Sequence, residues 1–156
     1  MPFNRYLNGV IRQAHFRDDV VGNDELGASH PKHLTFLYDF ATLGGGAGAI
    51  ILGDENGDAQ VVPAGSIITN AYISVQTAVT SGGSATVAFG IVGNTDAFKA
   101  ATGKASLGTD VVLAGTNDLP ITDAVPMQVA LTIATADLTA GKIRVFVEYI
   151  ERGYIA

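Results

Sequence analysis

Cysteine and tryptophan are both absent from the 156 residues of this chain. Without cysteine, a disulfide framework, a thiol nucleophile and a cysteine-ligated zinc site are excluded, so stability must come from packing. Without tryptophan, only tyrosine and phenylalanine remain as aromatic platforms, which weakens a carbohydrate-binding function.

Charged residues are also scarce: they make up 15% of the chain, against about 25% in typical domains. An under-charged surface is a weak sign of assembly, because uncharged patches tend to mark interaction sites. The net charge is −6, from nine basic and fifteen acidic residues, and lysine and arginine are not clustered. Direct binding to nucleic acid is therefore not expected.

Long apolar runs are missing as well. No stretch of about 18 apolar residues occurs, and the first residues lack the apolar core of a signal peptide. We expect a soluble protein with neither a membrane span nor a secretory leader. The length fits one domain with an appendage.

Residues 1–33 differ in character from the rest and are predicted to form an N-terminal arm. They hold all three histidines, and their charges balance, with four basic residues against four acidic ones. A short helical turn over residues 10–16 fits the apolar spacing. The arm is too apolar to stay solvated, so we expect it to order on a partner or on its own domain. Its candidate anchors are the large apolar side chains Phe3, Tyr6, Leu7, Ile11 and Phe16.

Residues 34–156 are predicted to form an all-β domain, because short segments rich in β-branched and aromatic residues alternate with turn residues. Tight connections without βαβ spacing point to an antiparallel β-sandwich or jelly roll. The candidate strands are 34–41, 49–52, 60–62, 66–79, 85–92, 110–114, 127–134 and 142–151.

Three connecting segments carry predictions of their own. The loops at residues 80–84 and 137–141 have the length and composition of hairpin turns between consecutive strands. Residues 94–102 look like a short helical insertion, with Asn94 or Thr95 as the N-cap and alanines following.

The last candidate strand has two apolar faces. Ile143, Val145, Val147 and Tyr149 form one face, which we expect to enter the core. The opposite face is half apolar and is expected to meet another subunit, with Phe146, Glu148 and Ile150 as the candidate subunit contacts.

A glycine-rich segment at residues 44–49 fits the loose GxGxxA pattern of a dinucleotide loop. The residues that follow it are predicted to form a strand and a turn, so no helix N-terminus is there to hold a pyrophosphate. A flexible or tightly turning surface loop is the favoured interpretation.

Two polar clusters are candidate cation sites. His15, His30 and His33, with a carboxylate such as Asp18, offer ligands for a divalent metal, but Pro31 and its polar neighbours favour a hinge between arm and domain. Residues 54–58 carry carboxylates at the short spacing of calcium loops. They lack the remaining ligands of such a loop, and Asn-Gly favours a turn.

Catalysis is not expected. The histidines lie in the arm, no GxSxG nucleophile elbow occurs, and most acidic residues fall at predicted turns. We therefore predict no catalytic residues, no cofactor, no metal and no small-molecule substrate.

Residues 64–90, AGSIITNAYISVQTAVTSGGSATVAFG, and residues 137–149, DLTAGKIRVFVEY, resemble a sequence style common in small structural proteins of tailed bacteriophages. The resemblance is to the capsid decoration (cement) proteins or related head and tail accessory proteins. It implies a jelly-roll domain, commonly a homotrimer, that seats on the major capsid protein with an extended arm. It carries over no individual functional residue.

That resemblance implies a virion protein at the capsid surface, made in the host cytoplasm, that stabilises the shell. A tail, baseplate or head-fibre component is the first alternative function. A carbohydrate-binding module is the second.

Overall fold

Nine strands form in residues 31–151, the part of the chain that the computed structural model describes, and the longest of them alternate apolar and polar residues. One helical turn, α1 (Phe40–Leu43), follows the first strand, and a 3₁₀ turn (Lys104–Ser106) follows the fifth. The strands are β1 (Lys32–Asp39), β2 (Gly48–Ile51), β3 (Ser66–Ser81), β4 (Thr86–Ile91), β5 (Asn94–Gly103), β6 (Val112–Ala114), β7 (Ile121–Thr122), β8 (Val129–Ala134) and β9 (Leu138–Glu151).

The strands form two antiparallel sheets. In the five-stranded sheet the order is β1-β9-β3, and β6 and β7 share the far side of β3. The four-stranded sheet has the order β2-β8-β4-β5. The predicted all-β antiparallel sandwich is confirmed. The jelly-roll subtype stays an interpretation, with which this strand order is compatible.

The core lies between the two sheets and takes one face of each long strand. On β9, Ile143, Val145 and Val147 are fully buried and Tyr149 nearly so, as the alternation predicts. Burial of such a side chain contributes about 1.5–3 kcal/mol. The largest fully buried side chains in this core are Tyr38, Phe36, Phe89, Phe98 and Leu52.

The helical insertion predicted at residues 94–102 is wrong, because this segment is strand β5. It pairs with β4 along its length, from Ile91 opposite Asn94 to Thr86 opposite Gly103. Helix propensity of a few alanines is a weak preference, and the pairing that buries Ala97 and Phe98 outweighs it. Residues 92–93 form the two-residue hairpin turn, in which Gly93 takes the positive φ (+96°) that such turns require.

The two predicted hairpins at residues 80–84 and 137–141 are also wrong. The segment at 80–84 connects β3 to β4, and the segment at 137–141 connects β8 to β9. In both cases the two strands belong to different sheets. Residues 138–141 lie inside β9, which begins at Leu138. Both connections therefore cross the sandwich from one sheet to the other.

Gly90 permits the close contact between β4 and the start of β5. A β-carbon there would clash with the Asn94 carbonyl oxygen and would lie 2.7 Å from the Ala97 nitrogen. We predict that Gly90→Ala destabilises the fold by about 1–3 kcal/mol, because backbone must move to make room. In the matched control, Gly103→Ala in the same hairpin, the new methyl group meets nothing within 4 Å. Urea unfolding measures both variants, and equal midpoints would contradict the prediction.

Candidate assembly surface

The outward face of the five-stranded sheet carries exposed aromatic side chains. Phe146 on β9 stands directly opposite Tyr72 on β3 and Thr35 on β1. Phe146 is 36% exposed and Tyr72 is 44% exposed. Cross-strand neighbours of this kind have β-carbons about 4.5–5.5 Å apart, so the two rings form one surface.

Aliphatic residues extend this surface along the sheet. Ile150 stands opposite Ile67 on the same face, and Val112 on the edge strand β6 is exposed beside Tyr72. We call the set Ile67, Tyr72, Val112, Phe146 and Ile150 the apolar stripe. Tyr72, Val112 and Phe146 are its exposed part, and the polar Thr69 and Glu148 separate them from the half-buried Ile67 and Ile150. Exposed apolar clusters are a mark of protein–protein contact.

The three candidate subunit contacts all lie on this outward face. Phe146 and Ile150 belong to the stripe, and Glu148 lies between them on the same strand. The Glu148 carboxylate accepts a hydrogen bond of 2.8 Å from the Thr69 hydroxyl, so its charge is partly satisfied within the domain. Their contact with another subunit stays a prediction.

Sequence reasoning missed Tyr72 and Val112. The signal for Tyr72 was present, since it alternates with the buried Ala71 and Ile73 and must therefore point outward. Val112 gave no local signal, because β6 has only three residues and its place depends on pairing with β3.

Charged groups on the same face are paired with one another. Arg144 bonds Glu55 at 3.0 Å and Lys142 bonds Asp39 at 3.0 Å. The Lys142 ammonium and the Ala41 amide hold the pKa of Asp39 below its ordinary value. A face whose charges already have partners loses less on desolvation than one with free charges.

A groove of about 490 Å³ opens at the edge of the sandwich, between the end of β1 and the end of β2. An antiparallel bridge joins Leu37 to Gly53 at its base, with the Leu37 amide donating to the Gly53 carbonyl at 2.9 Å. The backbone pairing between these two segments stops at this bridge. Asp39 and Ile51, the next candidates for pairing, line the groove instead. Leu43 of α1 forms part of its wall.

The glycine-rich loop stands beside the groove and is held at several points. The Tyr38 hydroxyl donates to the Gly44 carbonyl at 2.7 Å, and the Leu138 amide donates to the Gly45 carbonyl at 2.8 Å. The Ala47 amide donates to the Asp137 carboxylate at 2.8 Å. The strand β2 follows directly, which confirms a surface loop rather than a dinucleotide loop.

The carboxylate cluster at residues 54–58 is a turn. The Asp54 carboxylate accepts the backbone amides of Asp58 (2.9 Å) and Asn56 (2.8 Å), which lowers the pKa of Asp54. The amide of Gly57, which has a positive φ, donates to the Asp54 carbonyl at 3.1 Å. The predicted turn is confirmed, and the Asp54 oxygens accept hydrogen bonds from the backbone of the turn itself.

Only part of the candidate histidine metal site lies within the described residues. His15 and His30 lie outside the described residues, as do Asp18 and the anchors Phe3, Tyr6, Leu7, Ile11 and Phe16. His33 is the second residue of β1, so the hinge interpretation is wrong for Lys32 and His33. Within residues 31–151 no group of three histidine or acidic side chains is placed to hold a metal ion. In the same range no helix is long and apolar enough to cross a bilayer.

Chains of two phage capsids are among the solved structures that share this fold. A chain of the capsid asymmetric unit of cyanophage Pam1 matches with a TM-score of 0.61 and 19% identity, over 80% of this chain and 86% of that one. A chain of the acid-stable capsid of Helicobacter pylori bacteriophage KHP30 matches with a TM-score of 0.56 and 14% identity, over 79% and 89%. At these identities the likeness establishes a common fold. No protein-family model and no curated protein matches the sequence.

Tyr38 links the core to the glycine-rich loop. Its ionisation lowers the stability of the fold at alkaline pH. Burial and, secondarily, the Asp39 charge raise the pKa of Tyr38 to about 12. Because the folded state disfavours the phenolate, its contribution is complete below pH 10 and is lost as the pH rises towards 12. The loss amounts to about 3 kcal/mol.

Unfolding by urea at pH 9 and pH 11.5 measures about 2 kcal/mol of this loss, since the rest is reached only above pH 12. Tyr38→Phe should start from a stability about 1 kcal/mol lower, since the bond to Gly44 is gone, and decline less. Part of the decline should remain, because burial also raises the pKa of Tyr149. Tyr72→Phe, at an exposed position, is the control, and an equal decline in all three proteins would contradict the assignment.

Proposed function

We propose that this chain is a structural, non-enzymatic protein of a bacteriophage virion that binds the outer surface of the capsid and stabilises the shell, as a decoration protein. The observation that carries the proposal is the fold it shares with chains of two phage capsids, over most of the length of both partners. In all three cases a chain of similar length is nearly filled by one such domain.

The surface of the domain supports a role in adhesion. The apolar stripe lies on a sheet whose long central strands β3 and β9 pair along most of their length, so its side chains are held in fixed positions. Rigid aromatic groups such as Tyr72 and Phe146 give large contact energy at low entropic cost. Binding to a flat protein surface needs this combination.

Self-association is the second part of the proposal. We assign Phe146, Glu148 and Ile150 to contacts between copies, in a homotrimer. A threefold interface joins two unlike surfaces, so the stripe of one copy meets a different region of the next. Phe146 is the residue we expect to contribute most, because it is the largest exposed side chain on β9.

The arm is proposed to attach the protein to the major capsid protein. Its candidate anchors, Phe3, Tyr6, Leu7, Ile11 and Phe16, are large apolar side chains of the kind that contribute most of the energy at interfaces. The domain then covers the shell while the arm holds it in place.

Attachment is tested with particles of the parent phage from which the protein has been stripped. Full-length protein should rebind saturably at lattice positions seen by cryo-electron microscopy, and protein lacking residues 1–30 should fold but not rebind. The deletion stops at residue 30 because Lys32, the first residue of β1, pairs with Tyr149 of β9 and bonds Glu151 at 2.7 Å. Normal decoration by the truncated protein would refute the role of the arm. Labelling at a single vertex would favour a tail component.

Self-association is tested with the full-length chain by sedimentation. Phe146→Asp should weaken association at least about tenfold, since a buried charge replaces an apolar contact, and should change folding stability little, because the position is on the surface. Val92→Asp, on the turn after β4, introduces the same charge at an exposed valine away from the stripe. Equal association of the two variants would exclude Phe146 from the contact.

A further inference from the structure

The sheet edges of residues 31–151 are not equally protected. At the β5 edge, the amides of Thr116 and Asp118 donate to the carbonyls of Phe98 and Ala97, both at 2.9 Å. At the β1 edge, Gly53 and the Gln60 side chain bond the backbone of that strand. These two edges are therefore covered by the chain itself.

The outer edge of β2 is open. The Leu52 amide donates to the Val129 carbonyl of β8 at 2.9 Å, and bonded positions alternate in an antiparallel ladder. The backbone groups of Ala49 and Ile51 therefore point away from β8, where no part of residues 31–151 pairs with them. The strand has no charge and no proline, the features that usually protect such an edge.

The groove next to this edge has apolar walls and a negative charge. Leu43 and Ile51 are exposed at its margin. Three carboxylates, Asp39, Asp54 and Glu55, line it. Lys142 pairs with Asp39 and Arg144 pairs with Glu55, both at 3.0 Å, which leaves a net charge of −1 at the groove. The domain as a whole is acidic too, with five basic and eleven acidic residues between 31 and 151.

The first 17 residues have the opposite charge. They contain Arg5, Arg12 and Arg17 and no acidic residue, and the first acid in the chain is Asp18. The balanced charge of the arm therefore divides into a basic, apolar half and an acidic half. The first half is complementary to the groove in both charge and apolar character.

We propose that in the free protein, before the arm attaches to a shell, residues 1–17 dock in this groove as an added strand along β2 of their own copy. Main-chain groups pair with Ala49 and Ile51, apolar side chains such as Val10 cover Leu43, and the arginines face the carboxylates. This is recognition by strand addition, in which the backbone supplies affinity and alternate side chains supply specificity.

The connecting residues are long enough for this arrangement. Lys32 and Asp39 lie at opposite ends of β1, about 23 Å apart, and the groove is at the Asp39 end. Residues 18–31 can span about 46 Å when extended. Docking needs no shell, so purified protein tests it, and failure to bind a shell would not affect the outcome.

Disulfide trapping locates the segment, because the chain has no native cysteine. Full-length Val10→Cys/Leu43→Cys should form its disulfide at least about tenfold faster than Val10→Cys/Val92→Cys. The two partner sites are matched in exposure, at 42% and 52%, and Val92 adjoins the opposite edge of the four-stranded sheet. Equal rates would overturn the proposal. A product that joins two chains would place the segment in a neighbouring copy and overturn the single-chain arrangement.

Amide hydrogen exchange on the full-length chain tests the strand pairing. The Ala49 and Ile51 amides should exchange about tenfold more slowly than in the variant Arg5→Glu/Arg12→Glu/Arg17→Glu, and high salt should reduce the difference. The Val112 amide, which points to the open side of β6, is the internal control and should be the same in both. Trapping at Leu43 without protection at Ala49 and Ile51 would show docking without strand pairing and overturn the added strand.

Discussion

The pairing of β3 with β9 is the constraint on which the rest of the structure depends. It runs from Ser66 opposite Glu151 to Ser81 opposite Leu138. Since side chains alternate across a strand, the register that buries Ile73 and Val145 is also the register that exposes Tyr72 and Phe146. A slip by one residue would exchange the two faces. The core and the apolar stripe are therefore two results of one set of backbone bonds.

In a long strand, the face of the sheet to which each side chain points follows from local alternation. The sequence was therefore sufficient to predict it. Period-two alternation located most of β3, β4, β8 and β9, and it placed Phe146, Glu148 and Ile150 on the face opposite the buried Ile143 and Val147. The turn at residues 54–58 was equally predictable, because its Asp and Gly residues make their bonds within five positions.

The predictions that were wrong concern contacts between residues far apart in the chain. The alanines of residues 94–102 favour a helix locally. The segment becomes strand β5 only because it pairs with β4. The loops at 80–84 and 137–141 have hairpin composition, but strand order sends their strands to different sheets. The groove was invisible for the same reason, since Leu37 and Ile51 are brought together by a bridge at Gly53.

The ion pair between Lys32 and Glu151, with 2.7 Å between nitrogen and oxygen, places both ends of the β domain at one corner. A segment inserted at this corner would lie beside the bond that holds β1 to the end of β9. The turn at Gly82 and Gly83, about 45 Å away at the other end of β9, is the better site for an inserted epitope. The described domain therefore has its first and last strand ends at one corner and a turn at the opposite corner.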